Sequence, residues 1–182
     1  MGKNRVAIYF DGGNFYFKLK SLGIKNTTCF NYGAFCDYLS QERKIISRRY
    51  YVGLVKSKKN NKHSQFLREQ QQKLFAFLES KHKFVIKKGY LMENNGVYHE
   101  KGVDVQMAID ILIGAYEDLY DTAILVSSDT DLIPAIKKVK YLGKNIEYIG
   151  FAHNPSLGLQ RYVNLSRLLI KNELKQFEFN KR

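Results

Sequence analysis

The chain has 182 residues, 45% of them hydrophobic and 14% aromatic, enough to close a core of ordinary domain size, so disorder of the whole chain is excluded. Thirty Lys and Arg against 17 Asp and Glu leave a net charge of +13, which makes polyanions the first class of partner to consider. No apolar run approaches the roughly 18 residues that cross a bilayer, and two cysteines, Cys29 and Cys36, can neither frame a disulfide-rich fold nor, lacking a second pair or a nearby histidine, make a zinc site. The expectation is a cytoplasmic protein with reduced thiols and no membrane partner.

The first predicted element is a strand, Arg5 to Phe10, apolar on both faces. It runs into Asp11-Gly12-Gly13-Asn14, which puts a carboxylate and a carboxamide at the strand tip beside glycines that permit close approach. A plain turn with Asn14 as helix cap is the bland account of these residues. Helical periods follow over Asn14 to Leu22 and Tyr32 to Leu39, then a strand over Ile45 to Val55.

From Arg43 to Lys62 there is no acidic residue, and Lys56, Lys58, Lys59 and Lys62 come directly after the strand. A solvated loop explains such a run by itself; beside an anionic site it becomes a candidate clamp for nucleic-acid phosphates. The helix predicted over Ser64 to Ser80 carries Phe66, Leu67, Leu74, Phe77 and Leu78 as one apolar stripe. A strand over Phe84 to Ile86 precedes a hairpin, Tyr90 to Lys101, turned by Asn94-Asn95-Gly96 and expected at an edge or rim of the sheet.

The helix Val103 to Tyr116 is apolar nearly all round, yet it carries Asp104 in its first turn and Asp110 further on. At 100° per residue the two point about 120° apart, which leaves Asp104 free to project past the helix end and makes Asp110 a core group. The strand Thr122 to Ser127 ends in Ser127-Ser128-Asp129-Thr130-Asp131, and helix capping accounts for one of these aspartates but not for the pair. A helix over Leu132 to Leu142 with Pro134 in its first turn, a strand over Asn145 to Gly150 and a short helix over Leu157 to Tyr162 complete the pattern.

Strands alternating with helices, several of them too apolar for one wet face, imply an α/β fold with a mainly parallel central sheet flanked by helices on both faces. Residues 1–182 read as one domain, with 151–182 a C-terminal helical extension or tail whose Phe177 and Phe179 dock on the chain's own core or on a neighbour, leaving a homo-oligomer open. Because ligands of open α/β sheets bind beyond the carboxyl ends of the strands, Asp11, Asp104, Asp129 and Asp131 should converge. Carboxylates a few ångströms apart repel by several kcal/mol at intermediate dielectric, and a divalent cation between them is the simplest relief. All-oxygen ligands select Mg²⁺ or Mn²⁺, and a carboxylate-held hard cation in a basic protein suits phosphodiester hydrolysis.

Asp11-Gly12-Gly13-Asn14, Lys101-Gly102-Val103-Asp104-Val105 and Val126-Ser127-Ser128-Asp129-Thr130-Asp131, in this order and setting, resemble the NYN domains of the LabA-like group, which belong to the PIN-like nucleases. The resemblance covers roughly residues 5 to 150, more loosely to Leu169. It implies a PIN-like fold and hydrolysis of RNA, with DNA the alternative, leaving 5′-phosphate and 3′-hydroxyl ends. Carried over by position, Asp11, Asp104, Asp129 and Asp131 are the metal-holding catalytic acids and Asn14 contacts metal-bound water or substrate. Ser127 orients the acids, and Lys101 is the basic residue of its motif, with a role towards phosphate.

This sequence departs from the pattern at Ser128, where a glycine is frequent, and in its hairpin. Two rival readings stand beside the nuclease: a PIN-like module that holds RNA or a protein without cutting, and a haloacid-dehalogenase-type phosphatase. The phosphatase needs a second aspartate two residues after the strand-end one, where this chain has Gly13.

Overall fold

Every strand of the central sheet runs in the same direction, so each must be covered by helices on both faces. The computed structural model describes residues 4–24, 30–56, 60–94 and 97–179, without the side chains of 91–100. In chain order the first half contains β1 (Arg5–Asp11), α1 (Gly12–Ser21), α2 (Tyr32–Ser40), β2 (Lys44–Val52), α3 (Lys62–His82), β3 (Val85–Lys88) and the hairpin strands β4 (Tyr90–Asn94) and β5 (Val97–Lys101). The second half contains α4 (Val103–Tyr116), β6 (Thr122–Val126), a 3-10 turn (Thr130–Leu132), α5 (Ile133–Tyr141), β7 (Asn145–Phe151), α6 (Leu157–Gln160), β8 (Leu165–Leu169) and α7 (Lys171–Lys175).

The sheet order is β3-β2-β1-β6-β7-β8, all neighbours parallel, while β4 and β5 pair antiparallel as a separate ribbon. The chain thus builds outward from β1 on one side, crosses over, and builds outward from β6 on the other. The crevice between β1 and β6 is the topological switch point, where ligands of such sheets bind.

Alternation along β1 divides the core into two layers. Val6, Ile8 and Phe10 face a mainly aromatic cluster with Phe15, Phe30, Phe35 and Leu78, whereas Ala7 and Tyr9 face Met107, Ile111, Ile136 and Val139 from α4 and α5. The parallel sheet covered on both faces is the predicted architecture, and the predicted hairpin forms, as a two-stranded ribbon separate from that sheet.

Three local readings need correction. The strand predicted to reach Val55 stops at Val52. In α3 only the second half of the predicted stripe is covered: Leu74 and Leu78 are buried with Phe75, while Phe66 and Leu67 stay exposed. Asp11, not Asn14, caps α1, since the helix already begins at Gly12.

Where the sequence predicts a helical extension or tail, β8 adds an edge strand beside β7 and α7 follows. Phe177 then turns back into the aromatic layer, its ring centroid 5.2 Å from Phe35, 5.5 Å from Tyr38 and 5.9 Å from Phe30. Phe179 remains exposed. Cys36 is fully buried, and burial pushes its thiol up to about 12, so it is held protonated; Cys29 lies outside the described residues. Among the described residues no helix is long and apolar enough to cross a membrane.

Replacing Phe177 by Ala should destabilise the protein by about 3–5 kcal/mol in urea unfolding, the usual cost of emptying a buried aromatic site. A change within the range of an ordinary surface substitution would show that this segment does not close the core.

Candidate functional site

Register across the switch point brings the first and third acidic motifs together. Phe10 pairs with Val126, so the next residues, Asp11 and Ser127, emerge side by side at the carboxyl edge of the sheet. The Ser127 hydroxyl donates to Asp11 Oδ2 at 3.0 Å and accepts from the Asp129 backbone N–H at 3.1 Å. Asp11 Oδ1 accepts from the Asn14 N–H at 2.9 Å as the cap of α1, and Asp129 Oδ1 accepts from the Asp131 N–H at 2.9 Å as the cap of the 3-10 turn. One buried hydroxyl therefore ties the tip of β1 to the loop after β6.

Asp104 approaches from the other face, in the first turn of α4. Its carboxyl is held above the ordinary carboxylate range by partial burial and then by repulsion from Asp129, Asp11 and Asp131. Burial likewise raises Asp11, against the lowering effect of the Asn14 and Ser127 hydrogen bonds, and Asp129 adds to the rise. The structure thus brings all four predicted acids into one electrostatic neighbourhood. Among the described residues, none of the four forms an ion pair in a chain with 30 Lys and Arg.

The other aspartate of the same helix anchors α4 to the sheet. Asp110 is buried, accepting from the Tyr51 hydroxyl at 2.7 Å and from Gln106 Nε2 at 3.0 Å. Arg49 Nη1 stands 3.0 Å and Lys87 Nζ 3.8 Å from the same carboxylate. The predicted core aspartate is thus a clamp that fastens α4 to β2 and β3. The i, i+4 spacing of Gln106 and Asp110 is visible in the sequence; the partners on β2 and β3 carry no such signal.

The glycines after β1 serve the fold before any ligand. A Cβ on Gly12 would stand 2.4 Å from the Tyr50 ring and 2.8 Å from the Tyr51 carbonyl, so only glycine lets α1 start this close to β2. Gly13 is less confined, with only the Asp11 carboxylate near its Cβ position at 3.7 Å.

The basic residues divide. Arg43 is paired with Glu147 at 2.6 Å, Arg48 with Asp37 at 3.2 Å and Arg49 with Asp110, so these arginines of the acid-free segment are held in structural ion pairs. Lys56 follows the carboxyl end of β2, Lys62 opens α3, and Lys101 ends β5 opposite Tyr90. Lys58 and Lys59 lie outside the described residues.

Among the described residues, no three His, Cys, Asp or Glu side chains are gathered tightly enough to hold a metal ion as they stand. The chemistry of the donor set nevertheless fits a hard divalent cation: oxygen donors only, mutually repelling, and with no Lys or Arg paired to them among the described residues.

The NYN domain model matches residues 5–165 of the chain. Among solved structures, one similar chain is a protein of unknown function from Vibrio parahaemolyticus, 19% identical, with a TM-score of 0.62 over 92% of this chain and 93% of that one. That likeness shows the fold. No curated protein matches.

Because the folded state keeps the Asp104 proton to higher pH than the unfolded chain does, ionising this group weakens the fold at neutral pH and has no effect below the ordinary carboxylate range. Asp104→Asn should therefore raise the Tm at pH 7 in chelator, and the gain should vanish on acidification through that range. A lower Tm at pH 7 would contradict the crowding described above.

Proposed function

This chain belongs to the NYN domain family, within the PIN-like nuclease superfamily, and from that premise we propose that it is a metal-dependent nuclease acting on RNA. The observation that carries the reading is that Asp11, Asp129 and Asp131, beside the β1–β6 switch point, all repel Asp104, with no cation paired to any of the four among the described residues. The motifs shared with the LabA-like group, above all Asp11-Gly12-Gly13-Asn14, support the same assignment.

In this reading the four carboxylates hold Mg²⁺ or Mn²⁺. The ion supplies a polarised phosphoryl oxygen and a water acidified towards neutral pH. Ser127 keeps Asp11 Oδ2 aimed by its hydrogen bond, and it fixes the Asp129 backbone at the same time. Asn14 presents its carboxamide from the first turn of α1, within the same crevice, for a hydrogen bond to substrate or water. Lys56, Lys58, Lys59, Lys62 and Lys101 neutralise the phosphates that flank the cut. The Asp110 clamp does no chemistry; it holds α4 still while Asp104 carries charge.

A second reading, a module that holds RNA without cleaving it, is favoured by the net charge of +13, which supplies affinity whether or not the acids seat an ion. The two differ in the metal-dependent product. With labelled RNA and Mn²⁺, the nuclease reading expects cleavage that chelator stops. Asp129→Asn should lower it by more than about 100-fold and Ser127→Ala by about 10- to 100-fold, the scale of losing an outer partner of a metal ligand. Salt-sensitive RNA binding without product in Mg²⁺ or Mn²⁺, or cleavage undiminished in Asp129→Asn, would overturn the nuclease.

A further inference from the structure

We infer that two copies of this chain pair through the outward face of α4, the two helices antiparallel about a two-fold axis. The inference concerns a surface outside the acidic crevice and holds whether or not that crevice cuts RNA.

α4 turns Met107, Asp110, Ile111, Gly114 and Ala115 inward. At about 100° per residue, Val105, Ile109, Leu112 and Tyr116 fall on the opposite side of the helix, the side that water meets in a monomer. Polar residues belong there, yet all four are apolar or aromatic, as is the adjoining Ile113. Val105 is 63%, Ile109 45%, Ile113 44% and Tyr116 60% exposed, and Leu112 is half-buried. A helix apolar nearly all round is one that is covered nearly all round.

The spacing identifies the cover. Val105, Ile109, Leu112 and Tyr116 follow one another at steps of four, three and four residues, the alternation of a coiled-coil seam. Those steps read the same from either end. A second α4 laid antiparallel therefore sets Ile109 against Leu112 of the second copy and Val105 against its Tyr116, and each pair is made twice, as a two-fold interface demands. The pairs also match in bulk, since the smallest of the four side chains faces the largest.

The patch extends beyond α4. Lys138 on α5 lies 5.7 Å from the Tyr116 ring centroid and 4.6 Å from that of Tyr141, which is 81% exposed. Val105, Ile109, Ile113, Tyr116 and Tyr141 together expose on the order of 600 Å², near the ~800 Å² that each partner gives to a stable interface of standard size. Charge points the same way. Copies of a +13 chain repel one another, so they meet best where positive charge is absent, and α4 has no Lys or Arg. An anionic membrane or an RNA backbone finds no attraction on this helix, whose own charges are Asp104 and Asp110.

The test is sedimentation equilibrium of the full chain in chelator at about 100 µM, above the micromolar Kd at the weak end for interfaces of this size. The expected mass is twice 21.2 kDa. Ile109→Glu should weaken association by more than about 100-fold, whereas Phe66→Glu, at an exposed position of α3, should leave the dimer intact. Far-UV circular dichroism of both variants should match wild type, which reports that they are folded. Val105→Lys and Tyr116→Glu should each weaken pairing by roughly 10-fold, and the double variant, whose new charges face each other across the axis, should recover most of that loss. Wild-type protein of 21.2 kDa at this concentration overturns the inference and leaves the face to a different partner. A dimer that Ile109→Glu does not weaken, or a double variant no tighter than the singles, overturns it as well.

Discussion

The adjacency of β1 and β6 at the point where the chain changes direction across the sheet governs everything else in this molecule. Parallel strands end at the same edge, and here two neighbours end in acidic motifs whose helices depart to opposite faces. Asp11 and Asp129 are therefore close for a reason of topology, not of mutual attraction. Asp104 is added from α4 at a cost in electrostatic free energy that folding alone does not recover. Proteins concentrate such local conflict at functional sites, where a ligand relieves it.

The rest of the charge is arranged to tolerate that conflict. Arg43, Arg48 and Arg49 each have a carboxylate partner elsewhere, and Arg5 is bound to Asp121, whose carboxyl it lowers to about 2. Arg43, Arg48 and Arg49 thus serve as rigid, forked struts inside the fold. Asp110 has the opposite character to the four acids: buried, hydrogen-bonded by Tyr51 and Gln106 and faced by two cations, it is a satisfied carboxylate whose work is mechanical.

Much of this was legible from residues alone. Apolar runs marked β1 and β6, because a strand buried on both faces has no polar side to blur its pattern, β7 is interrupted only by Glu147, and carboxylates at two strand tips pointed to the crevice. The cap role of Asp11 was missed because Gly12 and Gly13 are poor helix formers; the close approach of Tyr50, a residue far along the chain, holds them in the helix. The strand β8 escaped notice for a similar reason. Leu165–Leu169 mixes polar and apolar residues without a clean alternation, and only its place at the sheet edge, with one side open, makes that sequence acceptable. Partner choice among arginines is invisible to any local pattern, since it is decided by which strands become neighbours.

The position of Phe177 also bears on how the protein is made. During synthesis the segments holding Phe30, Phe35 and Tyr38 leave the ribosome long before Phe177 does, so for about 140 residues of elongation the aromatic layer lacks its closing ring. Until Phe177 has emerged, nascent chains of this protein therefore leave that side of the aromatic layer uncovered.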